Sequence, residues 1–509
     1  MTAPAASRPT RGASAQELLS AVLDPGSFVS WDAPVDYSTQ SEPYRGELER
    51  AAERSGADEA VITGEGRIGG RRVALAVSEF GFLAGSIGLA TANRLVQLFE
   101  RATAEGLPVL ASPASGGTRM QEGTPAFVAM VKITAAVRHH KQARLPYLVY
   151  LRHPTTGGVM ASWGSLGHVT VAEPGALLGF LGPRVYEALY DAPFPEGVQV
   201  SENLYAHGLI DAVVPVSDLA AIVDRALSLL DVRRGTPQRD APGPTAGGDP
   251  LPGGAPATVW ESIQATRHPR RPGIRHLLKY AATDVLQLNG TAQGERDARM
   301  FLALARFDGN NFVVIGQDRH PSAVAPPMGP AFLREARRGM RLAEELGLPL
   351  VTVIDTEGAA LSVEAENGGI AGEIARSISD LIGLRTPTVS VLLGQGTGGG
   401  ALALLPADRT IAAANAWLSP LPPEGASAIR YRTADRAAEM AERQHVDSAS
   451  LLGAGIVDRV VPEPEDAVRD PRAFSLRIAD AVAAAMEELG HVPIPALLAG
   501  RERKYGGIG

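Results

Sequence analysis

The chain has 509 residues, 45% of them hydrophobic and 20% charged, an ordinary globular composition. That length exceeds what one hydrophobic core serves, so two domains of roughly 250 residues are expected. A net charge of −8 argues against a nucleic-acid-binding surface, and the absence of cysteine excludes disulfides, thiolate nucleophiles and Cys-ligated zinc or iron–sulfur centres.

The N-terminal stretch MTAPAASRPTRGASAQE has no apolar core of a secretory signal, and residues 1–20 are expected to be a disordered tail. No apolar run reaches the ~18–20 residues of a membrane-spanning helix, so no membrane is expected as a partner; with no cysteine to oxidise, a cytoplasmic location is expected. Residues 94–112, RLVQLFERATAEGLPVLAS, read as an amphipathic helix followed by a buried strand. Gly106-Leu107-Pro108 marks the helix end. His139 and His140 stand in RHHK, where a solvated basic helix face is expected rather than a functional pair. Pro146 opens the β-rich run PYLVYL, which leads to the glycines of TTGGVMAS. Residues 208–215, GLIDAVVP, close the first half, and a Pro- and Gly-rich linker occupies 233–258.

The second half repeats this plan. RRGMRLAEELGLPLVTVID (337–355) carries its own Gly347-Leu348-Pro349. Pro387 follows Pro349 at the distance by which Pro146 follows Pro108, and opens PTVSVLL before GTGGGALA. Residues 455–462, GIVDRVVP, close it. Four matches in one order indicate an internal duplication. The expected domains are 1–232 and 259–509, each of alternating helices and short buried strands, the α/β pattern of covered sheets.

Side-chain chemistry finds little support. There is no HExxH, no GxSxG elbow and no GxxxxGK[ST] phosphate loop, and GQGTGGG (394–400) lacks the acid a dinucleotide site requires. The positive signal is backbone: Gly157-Gly158 and Gly399-Gly400 each follow a buried strand and are expected to start a small-residue helix. Such a turn at a helix start aims amide N–H groups outward, where one donor to a developing oxyanion contributes about 2.7–4 kcal/mol. Equally, glycines there permit tight strand–helix packing. Their recurrence in both halves favours a functional role.

Ser115-Gly116-Gly117-Thr118-Arg119-Met120-Gln121-Glu122, Pro154-Thr155-Thr156-Gly157-Gly158-Val159, Ala172-Glu173-Pro174 and Gly179-Phe180-Leu181-Gly182-Pro183-Arg184-Val185 resemble the β subunit of bacterial acetyl-CoA carboxylase carboxyltransferase. The second half resembles the α subunit through Arg267-His268-Pro269-Arg270-Arg271-Pro272, Asp355-Thr356-Glu357-Gly358-Ala359, Gly399-Gly400-Ala401-Leu402-Ala403-Leu404 and Pro423-Glu424-Gly425. The resemblance spans roughly residues 60–465, in β-then-α order.

It implies two tandem crotonase-like (ClpP/crotonase) domains, acyl-CoA binding mainly in the first and carboxybiotin binding mainly in the second. Carboxyl would pass from biotin, borne on a separate carrier, to the α-carbon of acetyl-CoA or a similar short acyl-CoA, giving malonyl-CoA or its analogue. By position, Gly157 and Gly158 would hold the thioester oxygen, and Gly400 and Ala401 the ureido oxygen of biotin. Ser115, Gly116, Gly117, Arg119, Gly182, Pro183 and Arg184 would line the acyl-CoA side; Gly358, Ala359 and Gly399 would line the biotin side. The cofactor would supply the base, and the chain no metal. Implied partners are a biotin carboxyl carrier protein with its biotin carboxylase, and further copies of the chain as a homodimer or dimer-based hexamer.

Three departures stand out. No cysteine is present for the β subunit's zinc ribbon; the usual DTPGAYPG reads DTEGAALS; and SPEG is expanded to SPLPPEG. The last two lie on the biotin side, leaving two other readings open. One is a crotonase-fold decarboxylase, hydratase or isomerase working without biotin through Glu122 or Glu357. The other is a non-catalytic scaffold for acyl-CoA or a biotinylated partner.

Overall fold

The computed structural model describes residues 13–181, 186–187, 190–231, 258–319 and 326–508. It divides into two compact units, Met1–Ser228 with Ala292–Gly294, and Leu229–Thr291 with Glu295–Gly509. The expected linker, 233–258, lies outside the described residues except for Thr258.

Of the expected disordered tail, residues 1–12 also lie outside them, but the remainder requires correction. Ala15–Val22 is a helix opened by a capping box: Ser14 Oγ accepts from Glu17 N at 3.2 Å, and Glu17 Oε2 accepts from Ser14 N at 2.6 Å. Ala15, Leu18, Leu19 and Val22 are buried. The S-x-x-E signature ahead of an apolar stripe was present in the sequence and outweighs the compositional signal of a tail.

The first unit contains β1 (Val29–Ser30), β2 (Val61–Ile68), β3 (Arg71–Ser78), β4 (Val109–Ser112), β5 (Tyr147–Leu151), β6 (Thr155–Thr156), β7 (Val169–Ala172), β8 (Leu178–Gly179) and β9 (Ala212–Val213). Its main sheet runs β1-β2-β3-β4-β5-β7-β9. The first two ladders are antiparallel and the other four parallel.

The second unit contains β10 (Ala282–Leu288), β11 (Met300–Phe307), β12 (Asn310–Gln317), β13 (Leu350–Thr356), β14 (Thr388–Thr397), β15 (Arg409–Ala413), β16 (Trp417–Ser419) and β17 (Arg459–Val461). Its sheet runs β10-β11-β12-β13-β14-β15-β17, again with two antiparallel ladders and then four parallel ones. In each unit a short extra parallel pairing sits beyond the main sheet, β6 with β8 and the end of β14 with β16. The two units share one topology, as a duplication requires. Their central strands read as continuous apolar runs because both faces are covered: β5 and β13 are buried throughout.

The repeated tripeptides have local causes. Helices Leu89–Ala104 and Pro330–Leu346 both end in a Schellman pattern: Leu107 N bonds Ala102 O at 2.8 Å, and Leu348 N bonds Ala343 O at 2.9 Å. The intervening Gly106 and Gly347 have φ of 65° and 67°, which glycine alone adopts without strain. The aspartates of the closing repeats do equal work. Asp211 Oδ2 accepts from Thr170 N at 2.9 Å, and Asp458 Oδ2 accepts from Thr410 N at 2.6 Å. Each thereby pins the start of a neighbouring strand.

The RHHK expectation is corrected for one residue. His139 is exposed, but His140 is buried on helix Gly123–Gln142, edge-on to Phe99, with ring nitrogens 3.0 Å from Thr103 Oγ1 and 3.3 Å from Pro146 O. Burial, with a small contribution from neighbouring histidines, pushes its pKa down to about 4. The folded value lies below the unfolded one, so the unfolded chain binds the extra proton first. Stability is therefore lost as pH falls from about 6.5 to about 4, by on the order of 3 kcal/mol from this group. Melting temperatures across that range should fall less steeply in His140→Gln than in the unsubstituted protein. Equal slopes would contradict the assignment.

Candidate functional site

In the first unit, the segment after β4 and the segment around β6 are laced together. Ser115 N donates to Pro154 O at 2.7 Å, and Thr156 N to Ser115 O at 2.9 Å. The Ser115 hydroxyl is buried, donating to Gly85 O at 2.6 Å and accepting from Gly117 N at 3.0 Å. This closes a turn that presents Gly116-Gly117. Gly116 is exposed, though its N–H is bonded to Ala84 O at 2.9 Å. A Cβ built on Gly157 would lie 3.4 Å from Gly117 Cα, and one on Gly117 3.6 Å from Gly158 N, so the two glycine turns approach backbone to backbone.

Only part of the expected pair presents a donor. The Gly157 N–H is bonded to Gly179 O at 3.2 Å and Phe180 O at 3.0 Å, whereas the Gly158 N–H has no acceptor among the described residues. Nor does a helix follow. Residues 157–162 are turns, with Ala161 N bonded to Gly157 O at 3.1 Å, leading into the 3-10 turn Trp163–Ser165.

Arg119 is not placed to bind a ligand. It is 1% exposed, and its guanidinium bonds both oxygens of the buried Glu59, including a contact at 2.9 Å, as well as Ser86 O at 2.8 Å. The expectation of substrate contact is thus corrected to an anchoring role for the 115–119 segment. Glu122 is similarly engaged: Oε1 accepts from Tyr44 Oη and Oε2 from Leu89 N, both at 2.6 Å. Gly182, Pro183 and Arg184 lie outside the described residues.

The second unit rebuilds the same constellation, residue for residue, from 87 to 328, from 117 to 358 and from 157 to 398. Ile87 bridges Thr118 as Met328 bridges Ala359. Gly358 N bonds Thr356 Oγ1 at 3.1 Å, the counterpart of Gly117 on Ser115. Their φ angles, 127° and 107°, match in sign, as do those of Gly398 (64°) and Gly157 (62°). Thr156 pairs Gly179 and Thr397 pairs Ser419, so Gly157-Gly158 corresponds to Gly398-Gly399. The expected equivalence with Gly399-Gly400 is one residue out. The proline spacing carried this signal, since Gly157 and Gly398 lie equally far beyond Pro146 and Pro387.

Here a short helix does follow, Gly398–Leu402. The N–H groups of Gly398, Gly399 and Gly400 have no carbonyl within the helix to bond. Gly400 and Ala401 are buried, the Gly400 carbonyl accepting from Gln317 Nε2 at 3.2 Å. Beside this turn lies a cavity of about 370 Å³ lined by Arg267, Glu357, Gln395, Thr397, Trp417 and Pro422. It gathers the α-type motifs. Arg267 binds Glu424 through two hydrogen bonds, at 2.6 and 3.0 Å, and lies 6.0 Å from the Trp417 ring centre. The Arg267 hydrogen bond holds the Glu424 carboxyl below its usual range. Asp355 of DTEG is buried, accepting from Gln395 N and Arg319 Nη1, and so supports the cavity from behind. Trp417 carried no sequence signal as a site residue, and Gln395 and Thr397 stood only in GQGTGGG, the stretch set aside as a dinucleotide site. Among the described residues no cluster of three or more His, Asp or Glu could hold a metal ion. No described helix is long and apolar enough to cross a membrane.

A carboxyl transferase domain family model matches residues 13–496. The chain is 57% identical over 494 residues to a probable biotin-dependent acyl-coenzyme A carboxylase beta3 subunit of Mycobacterium tuberculosis, covering 97% of this chain and 98% of that one. It is 36% identical over 508 residues to the acetyl-coenzyme A carboxylase carboxyl transferase subunits beta/alpha of Saccharopolyspora erythraea, covering 96% and 88%. Among solved structures, the transcarboxylase 12S hexamer core with methylmalonyl-coenzyme A bound superposes with a TM-score of 0.72 at 20% identity, covering 93% of this chain and 89% of that one. A single-chain, multi-domain long-chain acyl-CoA carboxylase gives 0.69 at 20% identity, covering 92% and 45%. The fold is therefore the two-domain, crotonase-like one of these carboxyltransferases.

Proposed function

Because the chain belongs to the carboxyl transferase domain family, we propose that it is the carboxyltransferase subunit of a biotin-dependent acyl-CoA carboxylase, taking acetyl-CoA or another short acyl-CoA as acceptor. The observation that carries this reading is the pair of glycine turns, built alike in the two units, with backbone N–H groups in place of an acid–base side chain.

In the first unit the Gly158 N–H takes the thioester oxygen as negative charge develops on it. The bonds of Gly157 to Gly179 and Phe180 keep that turn rigid, so little reorganisation accompanies the reaction. Ser115 and Arg119 hold the opposing Gly116-Gly117 turn, which lets a flat thioester lie against backbone. In the second unit, the first-turn amides of Gly400 and Ala401 take the ureido oxygen of biotin, next to the cavity of Arg267 and Trp417. Carboxybiotin, arriving on a carrier protein as a substrate, supplies the carboxyl group and the base for the acyl α-proton. The chain's contribution is position and electrostatics. On this reading the first unit serves acyl-CoA and the second biotin. The partners are a biotin carboxyl carrier and its carboxylase, and the assembly is a homodimer or a dimer-based hexamer.

The test is transfer of labelled carboxyl between a carboxylated CoA ester, malonyl-CoA or methylmalonyl-CoA, and free biotin. Transfer should be abolished by avidin, and the preferred ester identifies the acyl group. Folded protein that transfers from neither ester would sink the proposal. One observation favours a second reading: Glu357 lines the cavity with a side chain 66% exposed and Arg299 3.6 Å away, where it could act as an acid or base. Avidin-insensitive turnover of an acyl-CoA, lost in Glu357→Gln, would establish it.

A further inference from the structure

Duplication allows each site residue to be compared with its counterpart in the other unit, and Thr397 differs from its counterpart in one respect. Thr156, at the matching position, donates its hydroxyl to Ser115 O at 3.4 Å. Thr397 is only 2% exposed, yet its Oγ1 is buried without a hydrogen-bond partner among the described residues. A buried hydroxyl left unbonded costs about 1–3 kcal/mol, so such a group calls for an explanation. A Cβ on Gly358 would lie 3.6 Å from Thr397 Cγ2, so the Thr397 methyl is the part turned to the DTEG turn.

Thr397 lines the cavity, as does Gln395, whose side-chain amide has no hydrogen bond among the described residues. Residues i and i+2 of a strand share a face, so Gln395 and Thr397 at the end of β14 stand side by side. Gly396 between them is closed off by Trp417 O, 2.7 Å from where a Cβ would sit. The next turn opens the helix Gly398–Leu402, with the Gly400 N–H among its first-turn donors that have no carbonyl within the helix. That edge therefore combines backbone donors with two uncommitted side chains able to accept.

We infer that Gln395 and Thr397 are binding residues for the cyclic urea of biotin, accepting its ring N–H while the Gly400–Ala401 turn takes its carbonyl oxygen. The pairing suits a planar urea, which presents donor and acceptor on adjacent edges. It also accounts for the orphaned hydroxyl, whose partner is the ligand. Neither residue belongs to the motifs by which the second half resembles the α subunit, and position 395 is matched by Pro154 in the first unit, which has no side-chain polar group. The inference rests on the second unit serving biotin.

The experiment is an NMR titration of the full chain with D-biotin, alongside melting curves, for the unsubstituted protein, Thr397→Val, Thr397→Ser and Gln395→Leu. Thr397→Val should weaken biotin binding about five-fold, the worth of one neutral hydrogen bond. Its melting temperature should stay level or rise, because the variant removes an unbonded buried group. Thr397→Ser should restore binding, and Gln395→Leu should weaken it. Unchanged affinity in Thr397→Val, a lowered melting temperature, or no biotin binding by the unsubstituted protein would each overturn the inference. If binding changes as expected but no carboxylated CoA ester gives transfer, the binding site stands and the proposed reaction fails.

Discussion

Replacing Gly158 by proline is expected to lower kcat for carboxyl transfer by about two to three orders of magnitude, the usual effect of deleting one oxyanion donor from a preorganised site. The physical reason is narrow. Gly157, its neighbour, gives its N–H to Gly179 and Phe180, which leaves Gly158 as the uncommitted member of the pair. Proline has no N–H, and its ring adds bulk, so the comparison needs a variant that changes bulk alone. Gly158→Ala is that variant. Its Cβ would meet Thr118 Oγ1 at 3.2 Å and Met130 Cε at 3.5 Å, contacts relieved by small side-chain shifts. The alanine variant should stay within about ten-fold of the unsubstituted kcat, because it keeps the N–H. Steady-state rates with circular dichroism for both variants decide the matter. A folded proline variant with full turnover would remove Gly158 from the mechanism, and equal losses in both would point to shape rather than the amide.

Much of the architecture was legible because duplication prints the same local physics twice. Gly-Leu-Pro at two helix ends, two prolines equally spaced beyond it, and two aspartate-containing closures all have matching structural causes in the Schellman turns and the Asp211 and Asp458 clasps. What stayed illegible depends on where side chains point. Arg119 stands in a motif that suggests ligand contact, but its partner Glu59 is far away in sequence and carries no local mark, so burial of the pair is a tertiary fact. The glycine register slipped by one because three consecutive glycines, Gly398 to Gly400, offer two alignments with Gly157-Gly158. Strand pairing chooses between them. His140 reads as surface beside His139, until helix phase turns it onto Phe99. Gln395 and Thr397 become site residues only when β14, β16 and the Gly398–Leu402 helix meet.

The Arg119–Glu59 pair should carry the largest share of stability of any single contact in the first unit. Both side chains are fully buried, and Glu59 also accepts from Thr91 Oγ1 at 2.8 Å, Tyr37 Oη at 2.7 Å and Ala60 N at 2.8 Å. Burial alone would raise the Glu59 pKa, but the Arg119 hydrogen bonds and charge outweigh it and hold the carboxyl below its ordinary value. Removing the cation in Arg119→Met leaves a buried carboxylate uncompensated, a loss of about 3–5 kcal/mol. The double variant Arg119→Met with Glu59→Leu should recover much of that loss, since replacing both charges by apolar groups of similar size is often close to neutral. The pH dependence supplies a sign. Glu59 has a lowered folded pKa, so its contribution is complete above the unfolded carboxylate value near 4.5 and is lost as pH falls through the folded value. In Arg119→Met, unopposed burial moves the carboxyl upward, and acid then favours the folded form. The stability gap between the two proteins should therefore narrow as pH is lowered. Hydrogen exchange at β2, β3 and β4 measures the gap locally, which matters because a two-unit chain need not unfold in one step. Were Arg119 instead a ligand for acyl-CoA, Arg119→Met would leave exchange unchanged and raise only the KM for the CoA ester. The anchoring role requires the opposite order, with loss of protection first and loss of turnover following from it.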